Sequence, residues 1–400
     1  MTHLPLPRGF LLLPPPGDRT ARSLRRKVRL LAIRGLLEGG GSLAGPLEAA
    51  LRSQPDAVLA AVGAPDVLPS LLAARGGVLP ASACTASAMP FLLTALHAEG
   101  VQPPEPLLIR GAFPHLPGLP GGRRASFDAP ARALLLDASG LSVELSDGSH
   151  RESTELETTR TSFAIPDAPV EFCIADTNPL SFLEDHPEKH GNAVDLAARP
   201  VSEWLQGLGE GFQLIREGLP DWSEELPQTL SRLLPVGYEM ERHLSASYGD
   251  APGLAYLTLH PKPLTLAEAI VHETQHGKLN LLLWLDQVLI NGRTTWTSSP
   301  VRPDLRPLLG VLLAVHAFVP VAALHARLAA IEHPLAHGPE FARRRLDVLA
   351  GNEGGMVILR EKSVPTRTGR RVLDALERLH AATMALAPAG PISPRSLPPG

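Results

Sequence analysis

The chain has 400 residues, 44% of them hydrophobic, enough for one large domain or two ordinary ones with a sizeable core. A formal net charge of −4 and a pI near 6.4 give no basic field for nucleic acid, and 4% aromatic residues leave little with which to stack single strands. Only two cysteines, Cys84 and Cys173, exclude a disulfide scaffold and a cysteine-rich zinc site and fit a reducing, cytoplasmic setting.

In chain order, the apolar run Phe10-Leu11-Leu12-Leu13 stops at Pro14-Pro15-Pro16, too short for the apolar region of a secretory signal. Residues 18–75 read as short helices. The stretch 22–37 carries apolar and basic residues at helical spacing and ends at Gly39-Gly40-Gly41; 43–51 and 57–62 follow in the same style. The basic face of Arg22, Arg25, Arg26, Lys27 and Arg29 suits a solvated helix or an acidic partner. Residues 76–170 change character. Strands over 133–137 and 141–145 pair around a turn at Ser139-Gly140, Asp147-Gly148 marks a second turn, and the prolines and glycines between Pro103 and Gly122 predict irregular linking structure. A short strand at 171–175 precedes a polar loop at 176–192.

From residue 201 the chain reads as mostly helical, with helices over 201–217, 222–234, 266–290, 307–331 and 369–385 and one strand at 254–259. The stretch 308–324 is nearly continuous in apolar residues. It holds His316 and Pro320, and His325 and Arg327 follow at once, so a buried core helix is expected there and no membrane span. The Pro/Ser/Gly-rich tail, 388–400, is expected to be disordered. The fold class that follows is mainly α with a small β portion, an α+β protein. Its expected layout is an N-terminal helical and β-strand region (1–170), a helical metal-binding catalytic domain (171–387) and the tail.

The most informative stretch is His272-Glu273-Thr274-Gln275-His276. On a helix, residues four apart share a face, so both imidazoles can reach one metal ion, as on a zincin-like helix. Glu273 is the candidate catalytic residue, either as the base for a metal-bound water or as a group that fixes a ligand. Thr265-Leu266-Ala267-Glu268 reads as a capping box at the helix start, and Asn291-Gly292 as its stop. The same pattern also fits a plain helix that carries two histidines. A catalytic metal takes a third protein ligand. His316 is the first choice, because a histidine in so apolar a stretch needs a partner and Pro320 removes the donor for its carbonyl. A satisfied core histidine is the alternative there, and Glu332, Glu340 and Glu353 are carboxylate alternatives for the ligand.

A second cluster is Arg302-Pro303-Asp304-Leu305-Arg306-Pro307, at the mouth of the long apolar helix. An arginine fork binds carboxylates in bidentate fashion, and a metal with a nearby arginine is what a 2-oxo dicarboxylate requires. Arg306, with Arg302 as the second choice, is the candidate for that carboxylate; helix capping and surface ion pairs through Asp304 are the plainer alternative.

With these features together, the block from Thr265 to Ala323 resembles a bacterial family of HExxH-motif proteins associated with ribosomally made, post-translationally modified peptides. The resemblance rests on the run from Leu266 to Leu279, on Pro252-Gly253 before a strand, on Arg302 to Leu308 and on the apolar segment 310–323. It implies an Fe(II)- and 2-oxoglutarate-dependent peptide β-hydroxylase, cytoplasmic, with a precursor peptide as its partner. The runner-up reading of the motif is a zinc metallopeptidase with Glu273 as general base.

Overall fold

The computed structural model describes residues 4–39, 41–180, 194–241, 243–298 and 305–388. Five helices lead the chain: α1 (Thr20–Glu38), α2 (Ala44–Ser53), α3 (Pro55–Val62), α4 (Leu68–Gly76) and α5 (Ala81–Ala98). The first three follow the expected spans. The buried residues of α1, Ala21, Leu24, Val28, Ala32 and Ile33, recur at helical spacing, which makes one face of it core. α5 occupies a stretch for which no helix is expected from the sequence. Its alanine- and leucine-rich run favours helix strongly enough to carry Pro90 in its interior.

A five-stranded sheet follows, built from β1 (Leu107–Leu119), β2 (Arg123–Asp137), β3 (Gly140–Glu144), β4 (His150–Glu152) and β5 (Thr158–Arg160). β1 corrects the expectation of irregular structure between Pro103 and Gly122. It pairs with β2 over its whole length, with register shifts between Arg110 and Phe113, Phe113 and His115, and Leu116 and Leu119, and these irregularities absorb Pro114 and Pro117. In the β2–β3 hairpin Asp137 faces Gly140, so the turn falls at Ala138-Ser139, one residue before the expected position.

The second five-stranded sheet contains β6 (Ser162–Ala164), β7 (Glu171–Cys173), β8 (Leu230–Tyr238), β9 (Ser245–Ala246) and β10 (Gly253–Leu259), in the order β6-β7-β8-β10-β9. β8 runs parallel to both β7 and β10, and β9 lies antiparallel on the edge. Before β8 come α6 (Val201–Gly218) and the short α7 (Pro220–Ser223). The helix expected over 222–234 is therefore absent. Pro227, Pro235 and Gly237 oppose a continuous helix, and β8 is an interior strand whose apolar run hides its period.

The C-terminal part comprises α8 (Pro263–Leu283), the hairpin β11 (Trp296–Ser298) and β12 (Leu305–Pro307), then α9 (Leu308–Ala330), α10 (Pro339–Lys362) and α11 (Arg367–Ala385). α8 starts before Thr265, with Lys262 as its N-cap residue, so the expected capping box does not form. It ends at Leu283, well before Asn291. The Asn291 side chain instead bonds the Lys362 carbonyl at 2.7 Å and the Thr295 hydroxyl at 3.0 Å. α9 matches expectation and packs against α6, α8, α10 and α11. α5 and α9 are each long and apolar enough to cross a bilayer by length and composition, and α9 lies in the core. Residues 389–400 of the expected tail lie outside the described residues. Half of the chain is helix and a fifth is strand, so the protein is α+β and mainly helical.

What positions the site is the burial of α8. A Cβ at Gly211 of α6 would stand 3.3 Å from the Ala267 backbone nitrogen, and a Cβ at Gly277 only 2.8 Å from the Thr229 carbonyl oxygen. Close approach therefore requires glycine at 277 and favours it at 211. On the face turned to the N-terminal segment, Lys278 is fully buried, ion-paired with Glu225, and bonded to the Leu12 carbonyl at 3.1 Å. Gln275 takes a hydrogen bond from the Trp222 indole and gives one to the Leu11 carbonyl, both at 3.2 Å. Leu11 reaches that position through a φ of 62°.

Removing one member of a buried ion pair leaves the other charged and unpaired, which costs about 3–5 kcal/mol. Lys278→Ala should lower the unfolding free energy in urea by about that amount, and Lys278→Met combined with Glu225→Leu should recover most of it.

Candidate metal centre

α8 sorts its polar side chains by face. Glu268, one turn before His272, is buried. It accepts from the His325 ring at 2.8 Å and from the Arg344 Nε at 2.8 Å. Burial pushes its carboxyl up, but His325 and Arg344 outweigh that and bring it down to about 2. Gln275 and Lys278, roughly two to three turns further along α8, bond the N-terminal segment and Glu225. The half-buried pair His272 and His276 remains, with Nε2 atoms 2.8 Å apart and rings perpendicular at 4.4 Å between centroids. Phe318 of α9 packs edge-on against His272 at 4.5 Å.

Burial lowers the proton affinity of both rings. For His272 the charges of His276, His243 and Arg344 add to it; for His276 Arg306 adds, with Glu273 opposing. Both rings are therefore neutral near pH 7, which is the ligating form. Two nitrogens on a tetrahedral metal at about 2.0–2.1 Å would lie roughly 3.3 Å apart. Small ring rotations bring this pair to that spacing, so the two residues fit two positions of one metal ion. The Nδ1 of His272 is buried without a hydrogen bond.

Glu273 is 2% exposed and held from both sides, accepting from the Ser245 hydroxyl at 2.5 Å and the Ser247 hydroxyl at 2.6 Å. Both serines lie on or beside the edge strand β9. The carboxylate thus ties α8 to the sheet.

His316 is fully buried on α9, and neither of its ring nitrogens makes a hydrogen bond. Burial first, and then the charges of Lys278 and His276, push it down to about 3, so it too is neutral. Its carbonyl, freed by Pro320, accepts from the Gln275 amide at 3.4 Å, so a cross-helix bond replaces the missing helical one. No group of three or more His, Cys, Asp or Glu side chains able to hold a metal forms among the described residues, so His316 is not gathered with the pair. The carboxylate alternatives stand elsewhere: Glu332 is exposed, Glu340 pairs with Lys262 at 2.7 Å, and Glu353 bonds His380 at 2.7 Å. Arg306 sits in β12, opposite Thr297, close enough to His276 for its charge to act there. Arg302 lies outside the described residues.

His243 is the residue that sequence reasoning missed. Its Nε2 is buried without a partner, its ring lies 6.3 Å from that of His260, and its charge reaches His272. Burial, reinforced by His260, pushes it down to about 4. It comes from the connection between β8 and β9, 29 residues before His272 in the numbering, and no spacing rule signals it. No family model matches the chain, and no curated protein matches it either.

The Glu268 cluster carries a pH prediction. The folded pKa of about 2 lies below the ordinary 4.5, so its contribution is fully present above pH 4.5 and is lost as pH falls toward 2. Wild-type unfolding free energy should therefore drop by up to about 3 kcal/mol across that window, and Glu268→Gln should flatten the drop while lowering stability at neutral pH. Denaturant titrations at a series of pH values read both effects.

Proposed function

We propose that the protein is a non-haem Fe(II)- and 2-oxoglutarate-dependent hydroxylase acting on a side-chain β-carbon of a ribosomally made peptide. The observation that carries this reading is Arg306, on the short strand that leads into α9, whose positive charge acts on the His276 ring. Hydrolysis of an internal peptide bond by a metal-bound water makes no use of such a fork, whereas the fork matches the distal carboxylate of a 2-oxo dicarboxylate. The position of Glu273 agrees. Each of its oxygens is already engaged by a serine hydroxyl, an arrangement suited to fixing α8 against β9 more than to moving a proton.

In this reading His272 and His276 hold the metal through Nε2, and His316, buried on α9 with both ring nitrogens unbonded but not gathered with the pair, would have to turn toward it to serve as a third ligand. Iron with bound 2-oxoglutarate would supply the oxidising power for hydrogen abstraction from the peptide. Phe318 blocks one side of the His272 ring and limits its rotation. The apolar enclosure keeps both imidazoles neutral, and Arg306 orients the cosubstrate by its far end. Ser245 and Ser247 keep Glu273 turned toward the edge strand.

The deciding assay compares succinate formation with Fe(II), 2-oxoglutarate and candidate precursor peptides against cleavage of the same peptides with Zn(II). Succinate coupled to peptide oxidation supports the proposal; cleavage without succinate replaces it with the peptidase reading. The arginine gives a sharper expectation. Arg306→Ala should weaken 2-oxoglutarate binding to the Fe(II) protein by on the order of tenfold to a hundredfold, and Arg306→Lys should recover part of it, because lysine keeps the charge and loses the fork. Anaerobic titration followed by the charge-transfer band measures this, and unchanged affinity in both variants removes Arg306 from the role.

A further inference from the structure

A cavity of about 180 Å³ lies between the two sheets and beneath α5. Its walls come from β1, β2, β7, β8 and the segment after β7, and no lining residue belongs to α8, β12 or α9. One water needs on the order of 10–15 Å³ of such space, so a small organic molecule fits. Phe91 and Pro117 supply apolar wall, and the rest is strongly polar.

The polar groups divide unevenly. The acceptors are engaged. Asp66 takes hydrogen bonds from Thr177 and Arg232, both at 2.5 Å, and Arg232 also lies 3.5 Å from Glu171. Asp176 accepts from the Tyr256 hydroxyl at 3.0 Å and the Asn178 backbone at 2.9 Å. One donor is left over. The Arg124 guanidinium makes no hydrogen bond and no ion pair among the described residues, and its Nε is buried without a partner. His115 stands beside it. Burial and then the Arg124 charge lower the proton affinity of that ring, so His115 adds a neutral donor or acceptor and no second charge.

We propose that this cavity binds a small organic carboxylate, with Arg124 as the group that holds it. A partly buried guanidinium whose Nε has no hydrogen-bond partner is costly, and a carboxylate matches its fork. The lining sets Arg124 and Arg232 against Asp66 and Asp176 and is balanced overall, so the unpaired Arg124 fork suits no more than a monoanion. Asp66 and Asp176 in the same lining oppose a dianion, which disfavours inorganic phosphate. The apolar wall at Phe91 and Pro117 suits a short hydrocarbon body, and the site is separate from the one assigned to iron and 2-oxoglutarate.

The test uses metal-free full-length protein with n-butyrate as probe and inorganic phosphate and n-butylamine as controls, followed by ligand-observed NMR and titration. The proposal expects saturable butyrate binding, the same in wild type and His272→Ala, weaker for both controls. Arg124→Met should weaken butyrate by on the order of tenfold and leave the melting temperature of the unliganded protein unchanged or higher, because Arg124 has no partner there to lose. Absence of saturable binding overturns the proposal, as does equal butyrate affinity in Arg124→Met or phosphate binding tighter than butyrate. A lower melting temperature in Arg124→Met with butyrate binding intact gives the residue a structural role and equally overturns it.

Discussion

The structure depends on satisfying the polar groups of a helix that is buried on nearly every side. α8 carries Glu268, Glu273, Gln275 and Lys278 into surroundings where an unpaired polar group costs several kcal/mol. Each finds its partner in a different part of the chain: Glu268 in α9 and α10, Glu273 beside β9, Gln275 and Lys278 in the N-terminal segment and around α7. These bonds fix the rotation of α8 about its axis. Among the described residues they also leave His272 and His276 with no hydrogen-bond partner except each other. A neutral pair of converging imidazoles, held on a helix locked from all other sides, is preorganised for a ligand that supplies positive charge.

The same constraint explains the N-terminal segment. Leu11-Leu12-Leu13 is buried. Its carbonyls are acceptors for Gln275 and Lys278, more than 260 residues away in the chain. The left-handed backbone at Leu11 is the local cost of turning those carbonyls inward.

Where the sequence was legible, the reason was local periodicity. The helical repeat marks α1, α6, α8 and α11, and the apolar run of α9 is long enough to be unambiguous. The failures also have physical causes. β8 is an interior strand, apolar on both faces, and its period cannot be told from that of a buried helix. β1 was obscured by Pro114 and Pro117, which a bulged strand tolerates and a regular one does not. α10 contains Gly354-Gly355, which propensity counts against a helix until tertiary packing overrides it. At the site, the histidine pair was readable because its spacing is the period of one helix. Thr265-Leu266-Ala267-Glu268 was misread as a cap because Glu268 answers to Arg344 and His325, neither of which any local rule links to it. His243 and the serines that hold Glu273 come from the edge of the sheet, and only the fold brings them to α8.

The central claim is that α8 presents His272 and His276 as ligands to one metal ion. Metal analysis after anaerobic loading with Fe(II) tests it most directly, on wild type, His272→Ala and His276→Ala, each checked for an unchanged far-ultraviolet spectrum. The account predicts a stoichiometric, tightly held divalent ion in the wild type and its loss in both variants. Equal metal content in all three proteins would contradict it.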